Sequence, residues 1–120
     1  MNKEDEVMAD SFKKREKGEE FKFGMEEELR FKAGSRRNRL LGEWLAERFG
    51  MTSDETGAYA KEVIVSDLKE PGIDDVVRKV MKDIEDRGLA ITEDEVRAKM
   101  EALYAVALEQ LKSDFKPDSL

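Results

Sequence analysis

The chain contains neither cysteine nor histidine. Without Cys there is no disulfide, no thiolate nucleophile and no zinc or iron–sulfur site of the usual ligand set, and redox compartment is left unconstrained. Without His the commonest general base and transition-metal ligand is missing, so no catalytic triad or dyad built on imidazole is available. An excess of positive charge is missing too. The formal net charge is −7 and the sequence pI is near 4.8, which argues against non-specific nucleic-acid binding, a property of basic surfaces. No apolar run is long enough to span a bilayer, and residues 1–17 lack the apolar middle of a signal peptide. The expectation is a chain that stays in the compartment where it is made. What is present is charge: 42% of the 120 residues are charged and 39% apolar, the composition of one soluble domain carrying more polar chain than its core requires.

The first twenty residues hold only Val7, Met8, Ala9 and Phe12 as apolar residues beyond Met1, among charges of both signs. Such a segment buries too little surface to offset its ordering entropy, so it is expected to be disordered or transiently helical when alone. A boundary is placed between Gly18 and Gly24. From Phe21 to Phe49 the apolar spacing becomes helical, with Leu29, Ala33, Leu40 and Trp44 joined by Leu41 and Leu45 on one stripe. Thr52 followed by Glu55 fits a capping box that opens a second helix, with Tyr59, Ala60, Val63, Ile64 and Leu68 facing inward and Pro71-Gly72 ending it. Asp74 is placed as the cap of a third helix bearing Val76, Val77, Val80, Met81 and Ile84, stopped by Gly88. Thr92 and Glu95 repeat the capping signature ahead of a fourth helix with Val96, Met100, Leu103, Tyr104, Ala107, Leu108 and Leu111 inward. No segment alternates apolar and polar residues in the manner of a strand. The expected fold is all-α: a four-helix bundle over residues 21–113, a mobile N-terminal arm over 1–20 and a frayed C-terminal tail over 114–120.

Candidate chemistry is sparse. Asp83, Glu85, Gly88 and Asp94 partly mimic a calcium loop, but Arg87 takes a ligand-bearing position, and a helix end, glycine stop and capped restart account for the same residues. No metal is proposed. Gly50 and Gly57 are too far apart for a phosphate loop and no Lys-Ser/Thr pair follows Gly57. Acidic pairs such as Glu93 and Glu95 mark helix N-termini and solvated faces. With no pocket signature, the expectation is a protein that is not an enzyme. Arg36, Arg37 and Arg39 form the one dense basic cluster. At about 100° per residue Arg37 falls within the apolar stripe and Arg39 points well away. The simpler reading makes Arg37 structural, its stem over Trp44 or Leu41 and its head paired with a carboxylate of another helix. Arg36 and Arg39 form a ridge that could hold a nucleotide phosphate. Gly42, beside Trp44, is read as a point of close helix packing. Phe12, Phe21 and Phe23 stand outside any local core, and aromatics in such a segment serve as anchors for a partner groove.

The run Leu29-Arg30-Phe31-Lys32-Ala33, the block Arg36-Arg37-Asn38-Arg39-Leu40-Leu41-Gly42-x-Trp44, the run Ala58-x-Ala60-Lys61-Glu62-Val63 and the ending Val106-x-x-Glu109-Gln110-Leu111-Lys112 strongly resemble the ATPase inhibitor zeta-subunit family of alphaproteobacterial F-type ATP synthases. The resemblance implies a regulatory four-helix bundle bound to the F1 head, whose N-terminal arm inserts at an interface between catalytic subunits, becomes helical and blocks rotation of the central stalk in the hydrolysis direction. It assigns that inhibitory contact to Phe12, Arg15, Glu16, Lys22 and Phe23. Lys13 and Lys14 stand where the family usually has acids, and Gly18 and Glu19 replace a helix-friendly small residue and an aromatic. These departures weaken an inhibitory helix more than they weaken the bundle. The implied partners are the F1 catalytic subunits and the central stalk, without nucleic acid or membrane insertion. The free protein is expected to be a monomer in the cytoplasm, at the inner face of the plasma membrane when bound to the synthase. No cofactor is expected. The alternative is a helical docking or nucleotide module that binds ATP or ADP weakly through Arg36 and Arg39 and occupies the synthase without strong inhibition.

Overall fold

The computed structural model describes the backbone of residues 3–68 and 72–114, and side chains from residue 26 onward within those ranges. Four helices follow one another: α1 (Lys3–Arg48), α2 (Ser53–Ser66), α3 (Asp74–Asp86) and α4 (Glu93–Asp114). Among the described residues there is no strand, and no helix is long and apolar enough to cross a membrane. The chain divides into two compact units, Met1–Phe31 and Lys32–Leu120. In the first, helix α1 begins at Lys3, so its backbone takes in the arm as well as the stretch from Phe21 where the helical spacing sets in. The second unit is the bundle.

Its core is built from the stripes that the spacing marks. Leu41, Leu45 and Ala46 of α1, Tyr59 and Val63 of α2, Val76, Val77, Val80 and Ile84 of α3, and Val96 and Met100 of α4 form one buried cluster, flanked by half-buried Trp44, Phe49, Met51, Met81 and Leu103. Phe49 meets Tyr59 edge to face, 5.4 Å between ring centres.

The loops follow local chemistry. Thr52 caps α2 with both halves of the box in place: its hydroxyl accepts from the Glu55 N–H, and the Glu55 carboxylate accepts from the Thr52 N–H. Those bonds, backbone first and then side chain, hold the Glu55 carboxyl below the usual carboxylate range. Thr92 likewise accepts from the Glu95 N–H at 3.1 Å. Gly88 adopts φ +66° just after α3, the left-handed stop its position calls for. Two expectations are corrected. The residue before α3 is Ile73, which makes no side-chain cap bond; Asp74 is already helical and its carboxylate pairs with Arg97 of α4 instead. Leu68 is 68% exposed and not inward, because α2 ends at Ser66 and the chain leaves helical register before Leu68 completes the stripe.

Candidate functional site

The three clustered arginines point in three directions because successive helix positions rotate by about 100°. Arg37 turns inward, its side chain only 11% exposed and its guanidinium 3.8 Å from Asp67, the C-cap of α2. Its Nε–H donates to the Asn38 side-chain oxygen at 3.1 Å, and the Asn38 amide donates to Asp67 at 2.9 Å. Asn38 is fully buried. The ring beneath the Arg37 guanidinium is that of Tyr104, at 5.7 Å. Burial lowers the Arg37 pKa, opposed by the Asp67 charge and by Tyr104. This polar clasp ties α1 to the end of α2.

Arg36 turns to α4, where its guanidinium lies 3.5 Å from Asp114 and 3.5 Å from the Gln110 side-chain oxygen. Arg39 is exposed and forms no ion pair among the described residues. Both line an open groove of about 780 Å³ between α1 and α4, together with Ala105, Val106, Glu109 and Asp114. A phosphate on this ridge would meet Arg36 already engaged by Asp114, Arg39 with no ion pair among the described residues and the nearby Glu109 carboxylate. Trp44 carries Arg48 over its ring at 4.2 Å and Lys99 at 5.3 Å. Gly42 sits where α1 crosses α2, and a Cβ there would lie 2.8 Å from the Ala60 Cα. The side chains of Phe12, Arg15, Glu16, Lys22 and Phe23 lie outside the described residues. Among the described residues no group of three or more acidic side chains is placed to hold a cation. Asp83, the first acid of the calcium-like stretch, is engaged by the Tyr59 hydroxyl at 2.8 Å and Lys79 at 3.0 Å.

The sequence model of the family described as ATPase inhibitor subunit zeta matches residues 8–110. The chain belongs to this family. A solved structure, described as a solution NMR structure of the protein, is 47% identical, covers 72% of this chain and 99% of its own, and superposes with a TM-score of 0.64. No match is found among curated proteins. Membership describes an inhibitory subunit of an ATPase, a regulatory role.

Within this zeta-family bundle, sequence reasoning passed over two groups that the structure brings together. Asn38 stands three residues before Leu41 and seven before Leu45, a polar residue on the buried stripe, and that interruption was the available signal. The second group is Tyr59, Asp83, Lys79 and Glu62, which fastens α2 to α3: Lys79 bridges Asp83 at 3.0 Å and Glu62 at 2.9 Å and lies 5.5 Å over the Tyr59 ring. Burial, and then the bond to Asp83, push the Tyr59 pKa well above its ordinary value. For Lys79, burial works downward and the bonds to Glu62 and Asp83 outweigh it, leaving its pKa raised. No periodicity points to these pairs, because they join separate helices.

Proposed function

We propose that this zeta-family protein inhibits rotary ATP hydrolysis by the F1 head of ATP synthase, with the bundle as dock and residues 1–20 as the inserted effector arm. The observation that supports this most is the extent of the family match, which runs from residue 8 through residue 110 and so takes in arm and bundle alike. The described core cluster runs from Leu41 to Met100 and draws on all four helices. Phe12, Arg15, Glu16, Lys22 and Phe23 are assigned to the partner contact: the two aromatics as anchors, the charged residues as partners of opposite charges on the catalytic subunits. As a helix, twenty residues extend about 30 Å, enough to reach from a surface dock into a cleft between subunits. The central stalk is the element whose turning the inserted helix obstructs. The protein acts in the cytoplasm, at the inner face of the membrane that carries the synthase, and is a monomer when free.

The test is ATP hydrolysis by the cognate F1 head titrated to saturation. A Phe12→Ala/Arg15→Ala chain is expected to need at least tenfold more protein for half-inhibition, on the order of 1.4 kcal/mol of lost binding. Inhibition equal to wild type would overturn the residue assignment. The second reading, nucleotide binding on Arg36 and Arg39, draws on the groove between α1 and α4. Titration with ATP decides it: amide shifts confined to residues 36–39 and the facing turn of α4 would favour it. We place it second because Arg36 is already held by Asp114 and Gln110.

A further inference from the structure

Several cations of the bundle are matched to carboxylates: Arg36 to Asp114, Arg37 to Asp67, Lys79 to Glu62 and Asp83, and Arg97 to Glu93 and Asp74. Arg48, Arg87 and Lys99 are not. Among the described residues they form no ion pair and lie over aromatic rings instead. Arg48 is 4.2 Å and Lys99 5.3 Å from the centre of the Trp44 ring, and Arg87 is 4.4 Å from that of Phe49. All three fall inside the range of about 6 Å over which a cation is drawn to a ring face. Acids are at hand: Glu47 adjoins Arg48 in sequence, Glu95 precedes Lys99 by one helical turn, and both are exposed. Glu55 lies within electrostatic reach of Arg87 without forming an ion pair with it. In a chain with 29 acidic residues against 22 basic ones, three cations held on rings distinguish this face from the rest of the bundle. Phe49 lies in the turn after α1 and Arg87 in the turn after α3, so their contact brings the two turns together at one end of the bundle. Arg48 and Phe49 are consecutive, which joins the two ring–cation groups.

We infer that this face is the docking surface of the bundle and takes a protein segment whose carboxylates are spaced around an apolar side chain. The identity of the partner, the F1 head, rests on the function proposed above; the chemistry that receives the segment is in the bundle itself. A guanidinium stacked on a ring uses its flat face and keeps the N–H donors in its plane free, so a carboxylate can take Arg48 or Arg87 in two parallel bonds. The ring has already ordered the side chain, and a partner that binds it restricts less remaining freedom. Trp44 and Phe49 are half-buried against the core, fixed beneath yet open at an edge that an apolar side chain can cover, as aromatic anchors of interfaces are. A uniformly anionic surface such as a lipid membrane would meet Glu47 and Glu95 with like charge. Carboxylates spaced along a segment can align with the cations alone.

Trp44 is the single tryptophan of the chain, so its emission reports on this face directly. The full chain is titrated with a short synthetic peptide rich in Glu and Leu, with the same peptide carrying Gln for Glu, and with phosphatidylglycerol vesicles. Trp44 emission is expected to respond to the Glu peptide and at least tenfold more weakly to the other two. An Arg48→Gln/Lys99→Gln chain is expected to bind the Glu peptide at least tenfold more weakly with an unchanged helical circular dichroism spectrum. A Lys61→Gln/Lys112→Gln chain, with the same change of net charge elsewhere, is expected to bind as the wild type does. No response of the wild type to the Glu peptide, an equal loss in both variants, or a response to vesicles alone overturns the proposal. With the cognate F1 head, the Arg48→Gln/Lys99→Gln chain is expected to need at least fivefold more protein for half-inhibition of ATP hydrolysis. Half-inhibition at the wild-type concentration overturns this face as the dock and leaves the inhibitory function standing. A wild type that suppresses no hydrolysis removes the inhibitory function instead, and the peptide titration then decides the acid-binding face by itself.

Discussion

Asn38 does what no apolar residue at its position could do. Its amide donates to Asp67 while its oxygen accepts from Arg37, so a guanidinium that burial disfavours is held by a neutral dipole and a charge at once. Removing one member strands the others. Asp67→Ala leaves the mostly buried Arg37 without its counter-charge, and is expected to cost about 1–3 kcal/mol, the desolvation penalty of a polar group left unsatisfied. Urea unfolding followed by circular dichroism measures this, and an unchanged midpoint would show that Asn38 alone holds Arg37. Gly42 is the second residue whose identity is dictated by contact. Alanine there gains helix propensity of up to about 1 kcal/mol, but its methyl would meet the Ala60 backbone at 2.8 Å. Backbone yields less readily than a side-chain end, and overpacking of this kind costs about 1–3 kcal/mol. Gly42→Ala is therefore expected to destabilise. Gly57→Ala in α2, where nothing lies within 4 Å, is expected to stabilise by as much as about 1 kcal/mol. The opposite signs separate contact from propensity.

At the scale of the helices, the capping box of α2 and the clasp between α2 and α3 are titratable. The Glu55 carboxyl has a lowered pKa in the folded chain. Its contribution is complete above the ordinary carboxylate value, about 4.3, and is lost as pH falls through the lower folded value. The stability difference between wild type and Glu55→Ala is thus expected to narrow on acidification, and a constant difference would show that the box contributes nothing through its charge. Tyr59 behaves oppositely. Its raised pKa means that the folded chain keeps the phenol proton when the unfolded chain has lost it, so stability falls as pH rises above about 10. Phenolate absorbance from Tyr59 is expected only together with loss of helical circular dichroism. In Tyr59→Phe that coupled component disappears, and stability at neutral pH drops by about 0.5–1.5 kcal/mol for the lost bond to Asp83.

The helices themselves were legible. Stripes at threes and fours placed Leu41, Leu45, Val63, Val80 and Met100 in the core, and the Thr52 and Thr92 signatures placed two helix starts, because both signals are local. Asp74 misled because a capping residue type beside an apolar run is also the residue that an arginine on another helix can claim. Leu68 misled because a periodic stripe does not announce where the helix beneath it stops. The clasps of Asn38 with Asp67 and of Tyr59 with Asp83 join residues 29 and 24 positions apart, and such pairings depend on how helices pack, which spacing within one helix does not carry. The ridge was partly legible: rotation separated Arg37 from Arg39, while the engagement of Arg36 by Gln110 and Asp114 needed the position of α4.

For the whole molecule, division of labour is the governing idea. The unit from Lys32 to Leu120 carries a core fastened by two polar clasps, and the family match extends beyond it to residue 8. In our account the bundle supplies a rigid dock and the arm supplies inhibition, so the two are separable. In that account Arg15 meets opposite charges on the partner. Raising ionic strength is therefore expected to weaken inhibition by the wild-type chain by several-fold and that by an Arg15→Ala chain by less. The most direct measurement is ATP hydrolysis by the cognate F1 head with the full chain and with a chain beginning at Phe21, both titrated to saturation with binding monitored in parallel. Suppression by the full chain alone, with both bound, is the predicted result. Equal suppression by the two chains, or none by either while both bind, would contradict an inhibitory role for the arm.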